Sequence, residues 1–393
     1  MRVDGVRLSA AHCGLKNGGN LDLALLELAP GSTTAAVFTQ NAFCAAPVQI
    51  ARRNLAYTTP RALLINAGNA NAGTGTHGLQ NAESCCAAMA SALQCDHHEV
   101  LPFSTGVIGE PLPVYKIAAA VDVLHAQLDA DAWHAAASAI MTTDTRPKLA
   151  TREIYIAGET ITVTGAAKGA GMIKPNMATL LAFVATDAQV EFGDLQQLLE
   201  DVVAESFNCI TVDGDTSTND ACTLTATGKS GVLLSPRNDA WPIFANAVKN
   251  VFVELAQALI EDAEGASKFV TVLVQGGATR TECFDVAYAI AASPLVKTAL
   301  FASDANWGRI LAAVGRAGVP GLDVSHVNID LDDVRVVTGG ERDARYQDAD
   351  GQRILAQDRL SLCVDLGRGL DKVTVWTCDL SHDYVRINAE YRS

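Results

Sequence analysis

Gly165-Ala166-Ala167-Lys168-Gly169-Ala170-Gly171-Met172-Ile173-Lys174-Pro175-Asn176-Met177-Ala178-Thr179-Leu180-Leu181-Ala182-Phe183-Val184-Ala185-Thr186 sets a loop directly against a strand. Three glycines and a proline forbid a helix over 165–178. The unbroken apolar run 179–186 then reads as a strand buried on both faces, with Thr179 at its first position. Upstream, 153–164 alternates apolar and polar residues across Gly158-Glu159, which predicts a hairpin. Downstream come an amphipathic helix over 192–207, a polar loop, a long apolar helix over 241–260, further strands and a C-terminal strand region over 372–387. The N-terminal third interleaves strand candidates (21–28, 35–38, 62–66) with helical patterns (79–93, 114–128, 130–141). Two strand, loop, helix units stand out there, entered through the small-residue stretch 67–75 and through Ser104-Thr105-Gly106-Val107-Ile108-Gly109. The expected fold class is α/β, a layered sandwich of sheets and helices.

The chain has 393 residues, 49% hydrophobic and 19% charged, enough for a sizeable core, and its formal net charge is -15. That sign is wrong for tracking a phosphate backbone, so a nucleic-acid partner is not expected. No window holds about 18 uninterrupted apolar residues, and Met1–Arg7 has no apolar core for a signal peptide, so neither a membrane partner nor export is expected and a cytoplasmic location is. The ten cysteines form no C-x-x-C pair and read as buried free thiols.

Several motifs fail on inspection. Lys229-Ser230 follows Gly228, but Thr223 stands where a phosphate loop needs its first glycine, and Lys174 stands where a dinucleotide fingerprint beginning at Gly169 needs its third. Cys95-Asp96-His97-His98 has no second Cys/His group at metal-site spacing and reads as a solvated cap, so no metal is expected. Asp213–Asp220 starts like a calcium loop but carries Thr218 and Leu224 where glycine and an acid are needed. Its short polar side chains suit a web of side-chain to backbone hydrogen bonds that braces a site. No G-x-S-x-G elbow is present.

Thr179 remains. A threonine hydroxyl needs a base beside it, and its own α-amino group, freed by cleavage after Ala178, would titrate near working pH at about 7.7 to 8. Ala178 leaves the preceding carbonyl sterically open. The competing reading is a β-branched residue that simply opens a strand.

These stretches together resemble the ornithine acetyltransferase (glutamate N-acetyltransferase) family of the cyclic arginine pathway. The resemblance is carried by Lys168–Leu180, Ser104–Gly109, Met141-Thr142-Thr143-Asp144-Thr145, Thr211–Asp220, Glu264-Gly265-Ala266-Ser267-Lys268-Phe269 and Asn388-Ala389-Glu390-Tyr391-Arg392-Ser393, and it spans essentially the whole chain. It implies self-cleavage between Ala178 and Thr179 into an α chain (1–178) and a β chain (179–393), assembled as a heterotetramer of two such pairs. It implies Thr179 as an acetyl-accepting nucleophile in a ping-pong exchange from N-acetylornithine to glutamate, and Thr105 and Gly106 as the oxyanion hole. Thr143, Lys168, Thr179, Glu264, Asn388 and Ser393 would bind substrate, Lys168 suiting a carboxylate and Glu264 an ammonium. No cofactor is implied. Acetyl-CoA as a second donor stays open, because exchange-only and bifunctional members share these motifs. Ser267 and Glu390 depart from the family's more usual Thr and Asp. Two alternatives are an amidohydrolase or aminopeptidase of related fold with an N-terminal nucleophile, and a non-catalytic amino-acid-binding protein.

Overall fold

The computed structural model describes residues 1–174 and 180–390, so Ala178, Thr179 and Ser393 lie outside the described residues. The chain divides into two compact units, Met1–Asn208 with Asp215–Leu259, and Cys209–Gly214 with Ile260–Ser393.

The first unit contains β1 (Val6–Ala11), β2 (Leu23–Leu28), β3 (Thr33–Phe38), α1 (Ala46–Tyr57), β4 (Ala62–Asn69), α2 (Gly75–Leu93), β5 (Val100–Val107), α3 (Val114–Ala126) and α4 (Trp133–Ala139). It continues with β6 (Lys148–Ile156), β7 (Glu159–Lys168), β8 (Leu181–Thr186) and α5 (Phe192–Ala204). After β9 (Ile210–Thr211), which belongs to the second unit, come β10 (Ala221–Ala226) and α6 (Trp241–Glu261). One sheet has the order β1-β2-β4-β5 and the other β3-β10-β8-β7-β6. The period of two along β4 and β5 distributes their side chains between two cores. Leu63, Ile65, Leu101 and Phe103 meet Leu181, Phe183 and Ala185 of β8 between the sheets, where the Phe103 and Phe183 rings pack edge to face at 5.0 Å. Leu64 and Val100 pack outward with Cys86 and Met89 of α2 and with Ile117 and Leu124 of α3. On the far side of the second sheet, a Cβ at Gly165 would stand 2.7 Å from Val184 and 3.1 Å from Leu255 of α6, so the glycine admits a close helix. The unit is therefore layered as helices, sheet, sheet, helices.

All six residues of β8 are buried, as the apolar run predicts. Three expectations in this unit need correction. Residues 165–168 are not loop: they complete β7, with Gly165 opposite Val184 and Lys168 opposite Leu181. The hairpin turn falls on Ala157-Gly158, one residue earlier than read, because both adopt positive φ (55° and 92°) and Glu159 already pairs with Ile156. The strands β4 and β5 also run on through small and polar residues, to Asn69 and Val107. Helix α6 is long and apolar enough to cross a membrane by length and composition alone. However, Phe244, Val248, Val251, Phe252, Leu255 and Leu259 form one fully buried face, the signature of a core helix, and Arg152 pairs with Glu254 on its exposed side.

The second unit holds β11 (Phe269–Gly277), α7 (Arg280–Ala291), α8 (Pro294–Phe301), α9 (Trp307–Gly315), β12 (Asn328–Leu331), β13 (Val334–Thr338), β14 (Glu341–Arg342), α10 (Asp348–Leu355), β15 (Arg359–Asp365), β16 (Asp371–Cys378) and α11 (His382–Ala389). Its seven-stranded sheet has the order β14-β13-β12-β15-β11-β16-β9. The core joins Val270, Val272 and Val274 of β11 to Val286 and Ile290 of α7. The strand expected over 372–387 ends at Cys378. Ser381 then accepts from the amides of Asp383 and Tyr384 and starts α11, a capping signal that overrides the alternation of Val385 and Ile387.

Candidate active site

Thr105 and Gly106 lie near the end of β5, beside a register break in its pairing with β4 after Gly68. Gly106 has φ +133°, and a Cβ there would sit 2.3 Å from the Gly68 carbonyl carbon and 2.5 Å from the Asn69 nitrogen. Only glycine fits this approach of two backbones. A buried polar web fixes the strand ends. Ser104 donates to Asn66 Oδ1 (2.6 Å), Asn66 to the Asn69 carbonyl (2.8 Å), and Asn219 Nδ2 to the carbonyls of Ala70 (2.7 Å) and Ser104 (2.9 Å). Thr39 donates to the Ser217 carbonyl at 2.8 Å. The polar stretch 215–220 thus braces the Thr105 strand, as its composition suggests.

Lys168 ends β7, nearly buried, and its ammonium donates to Thr142 Oγ1 (2.8 Å) and Thr105 Oγ1 (3.2 Å). An ammonium only donates, so both hydroxyls accept from it and each keeps its own proton to give elsewhere. Four ångströms from Lys168 Nζ lies Oδ2 of Asp144, a buried carboxylate that also accepts from Lys148 Nζ (2.6 Å) and from the amides of Gly169 (2.7 Å) and Thr142 (2.9 Å). Burial alone would push Asp144 up, but Lys168 and Lys148 with the Thr142 amide outweigh it and hold the carboxyl at about 2. A third lysine, Lys16, donates to the Met141 (3.0 Å) and Ala139 (3.2 Å) carbonyls. Thr143, half-buried between Thr142 and Asp144, makes no side-chain hydrogen bond among the described residues.

Asp220, at the end of the polar stretch, is the opposite kind of carboxylate. Burial pushes its carboxyl well above the ordinary range despite hydrogen bonds from the Leu180 amide and Ser217 and the charge of Lys168. Its Oδ2 has no hydrogen-bond partner among the described residues.

In the second unit Glu264 is buried, and its Oε2 accepts from Asn388 Nδ2 at 2.7 Å. The loop carrying Glu264 is tied to the segment before α11. Asp379 accepts from the amides of Ser267 (2.8 Å) and Lys268 (2.9 Å) and from the Ser267 hydroxyl (2.5 Å), and Ser381 donates to the Gly265 carbonyl (2.6 Å). A threonine at 267 would offer the same hydroxyl, so this departure is conservative. Asp96, His97 and His98 bring three ligating atoms within 4.8 Å of one another, but Asp96 is engaged as the cap of the turn 97–99, accepting from the His98 amide and ring at 2.8 Å each. None of the ten cysteines forms a disulfide among the described residues, six of them are buried, and burial pushes the Cys85 thiol up to about 12.

Residues 7–393 match the model of the ArgJ family. The arginine biosynthesis bifunctional protein ArgJ of Methylococcus capsulatus is 56% identical over 392 residues, covering 100% of this chain and 96% of the relative. That of Pseudomonas fluorescens is 52% identical over 393 residues, covering 100% and 97%. The crystal structure of the protein of that name from Bacillus halodurans aligns with TM-score 0.51 and 38% identity, over 53% of this chain and 98% of that one. This chain belongs to the ArgJ family. Of the site residues expected in this ArgJ chain, Thr105, Gly106 and Lys168 lie together in the first unit and Glu264 and Asn388 together in the second. The sequence assigns no individual role to Asp144, Lys148 or Asn66. Asp144 sits inside a quoted stretch, but nothing local distinguishes a buried anion there from a turn aspartate.

Proposed function

We propose that this ArgJ enzyme of arginine biosynthesis moves the acetyl group of N-acetylornithine to glutamate by way of an acetyl ester on Thr179, after self-cleavage between Ala178 and Thr179. The Thr179 hydroxyl attacks the acetyl carbonyl while its α-amine takes the proton. The C–N bond then breaks, the proton passes to the leaving amine, and ornithine departs. Glutamate's amine attacks the ester, and N-acetylglutamate leaves with Thr179 restored. The observation that carries this reading is the placement of Thr105 and Gly106 near the end of β5, with Lys168 on the Thr105 hydroxyl. Lys168 occupies the acceptor side of the Thr105 hydroxyl, which leaves its proton available to a developing oxyanion. Thr143, Lys168, Glu264, Asn388 and Ser393 are read as the substrate-binding set, with Glu264 and Asn388 already hydrogen-bonded to each other. A protein of two chains is supported by the solved relative whose single chain, 98% covered, spans only 53% of this sequence, and the heterotetramer of two such pairs is what the family resemblance implies.

Thr179→Ala removes the attacking atom and is expected to leave one uncleaved chain by intact mass. With N-acetylornithine alone, the wild-type fragment beginning at Thr179 should gain one acetyl group. Two chains from Thr179→Ala, or kinetics requiring both amino acids bound at once, would contradict the reading. N-acetylglutamate formation from acetyl-CoA, compared with formation from N-acetylornithine, decides whether both donors serve.

A further inference from the structure

We infer that Asp144 is a positioning residue for the acyl-transfer step, acting through Lys168 to hold the Thr105 hydroxyl in its donating orientation. The inference rests on the proposed reading of Thr105 as an oxyanion donor.

The connections are hydrogen bonds within the first unit and one ion pair, Lys168 to Asp144, at 4.0 Å. Asp144 gathers its partners from separate segments: Lys148 from the start of β6, the Gly169 amide immediately after Lys168, the Thr142 amide, and Lys168 itself at 4.0 Å. Lys148 is fully buried and is joined to the carboxylate at 2.6 Å, so that pair is a fixed point in the interior. Binding the Gly169 amide pins the backbone on one side of Lys168, and β7 pins the other. The freedom left to the Lys168 side chain is then limited by the carboxylate and by the two threonine hydroxyls it serves. A long flexible side chain held in this way loses little further entropy when charge develops nearby, which is what a preorganised donor requires. The neighbouring charges are Lys16, whose ammonium is held by the carbonyls of Ala139 and Met141, and Asp22 beyond it, both within the same unit. The two lysines of the Asp144 cluster therefore have different tasks: Lys148 holds the anion, and the anion holds Lys168.

Asp144→Asn, Lys168→Met and the double variant test this in the full-length enzyme, with rates expressed per cleaved chain and the half-time of self-cleavage followed alongside. A group that acts only on the transition state is expected to alter kcat more than KM. Asp144→Asn should lower kcat for acetyl transfer from N-acetylornithine by at least about 10-fold with KM within about 3-fold, and should cost no more than about 2-fold further in the Lys168→Met background. A merely structural Asp144 would instead give the same penalty in both backgrounds, and that result would overturn the inference. So would wild-type kcat in Asp144→Asn, a KM effect alone in both single variants, or loss of self-cleavage in Asp144→Asn but not in Lys168→Met. Thr105→Val separates the two levels. Wild-type turnover in Thr105→Val removes the oxyanion reading itself, whereas an impaired Thr105→Val beside an unimpaired Asp144→Asn removes only the role of Asp144. Should Asp144→Asn fold poorly, Asp144→Asn with Lys148→Met removes the stranded buried cation, and the same cycle with Lys168→Met is run on that background.

Discussion

Asp144 and Asp220 lie in the same layered unit, both buried, and their surroundings drive them in opposite directions. Two ammonium groups hold Asp144 ionised, while Asp220 has lost its water without gaining an adjacent cation in hydrogen-bonding contact. Linkage gives the sign for Asp220. Because its folded carboxyl titrates above the unfolded one, its contribution to stability is full below about pH 3.8 and is lost as pH rises toward the folded value. Asp220→Asn cannot ionise and escapes that loss, while its side-chain oxygen can still accept from the Leu180 amide. The difference in Tm between Asp220→Asn and wild type should therefore grow in the variant's favour from pH 4.5 to pH 8. A difference that is flat with pH would show that Asp220 carries no such penalty. At this scale the sequence is informative where a motif is long, as at Lys168 and Thr105. It says little about Asp144 and Asp220, because a lone aspartate among threonines and asparagines looks alike in a turn and in a core.

Between residue and fold, β5 carries the strictest local demand. At Gly106 the left-handed φ and the backbone of Gly68 and Asn69 are both incompatible with a side chain. Gly106→Ala should therefore destabilise the protein by about 2 kcal/mol or more, seen as a lowered urea midpoint. Thr105→Val, nearly the same shape, should leave the midpoint within about 1 kcal/mol while lowering kcat on the order of 10²-fold. Equal destabilisation by both would mean that residue 105 serves the fold and not the reaction. In the first unit many elements were legible from periodicity, among them the buried run of β8 and helix α6, whereas helices α1 and α7 to α10 were not read. The strand ends were not, because β4, β5 and β7 continue into small and polar residues whose pairing comes from partner strands and not from their own propensity. The C-terminal helix α11 was hidden for a related reason: all of its described residues remain at least partly exposed, so no apolar stripe announces it, and its cap at Ser381 is the signal that remains.

Across the whole molecule, the order β3-β10-β8-β7-β6 has a consequence for the proposed cleavage. Strands β3, β7 and β6 precede position 178 and strands β8 and β10 follow it, so one sheet is interleaved from both products. Across that boundary β8 pairs with β7 from Lys168↔Leu181 to Val163↔Thr186, and β10 pairs with β3 along six residues. Leu181, Phe183 and Ala185 also fill the core between the sheets against Leu63, Ile65, Leu101 and Phe103. The two compact units divide the chain elsewhere, so the 178/179 bond is a boundary between chains without being one between folding units. Cleavage should then free an amine while leaving these strand pairings and this core intact. The cleaved protein is expected to elute natively as one species, to separate into two chains only under denaturing conditions, and to lose both chains' structure in one cooperative urea transition for the first unit. Release of a folded 1–178 or 179–393 fragment at urea concentrations below that transition would show that the interleaved sheet does not hold the products together.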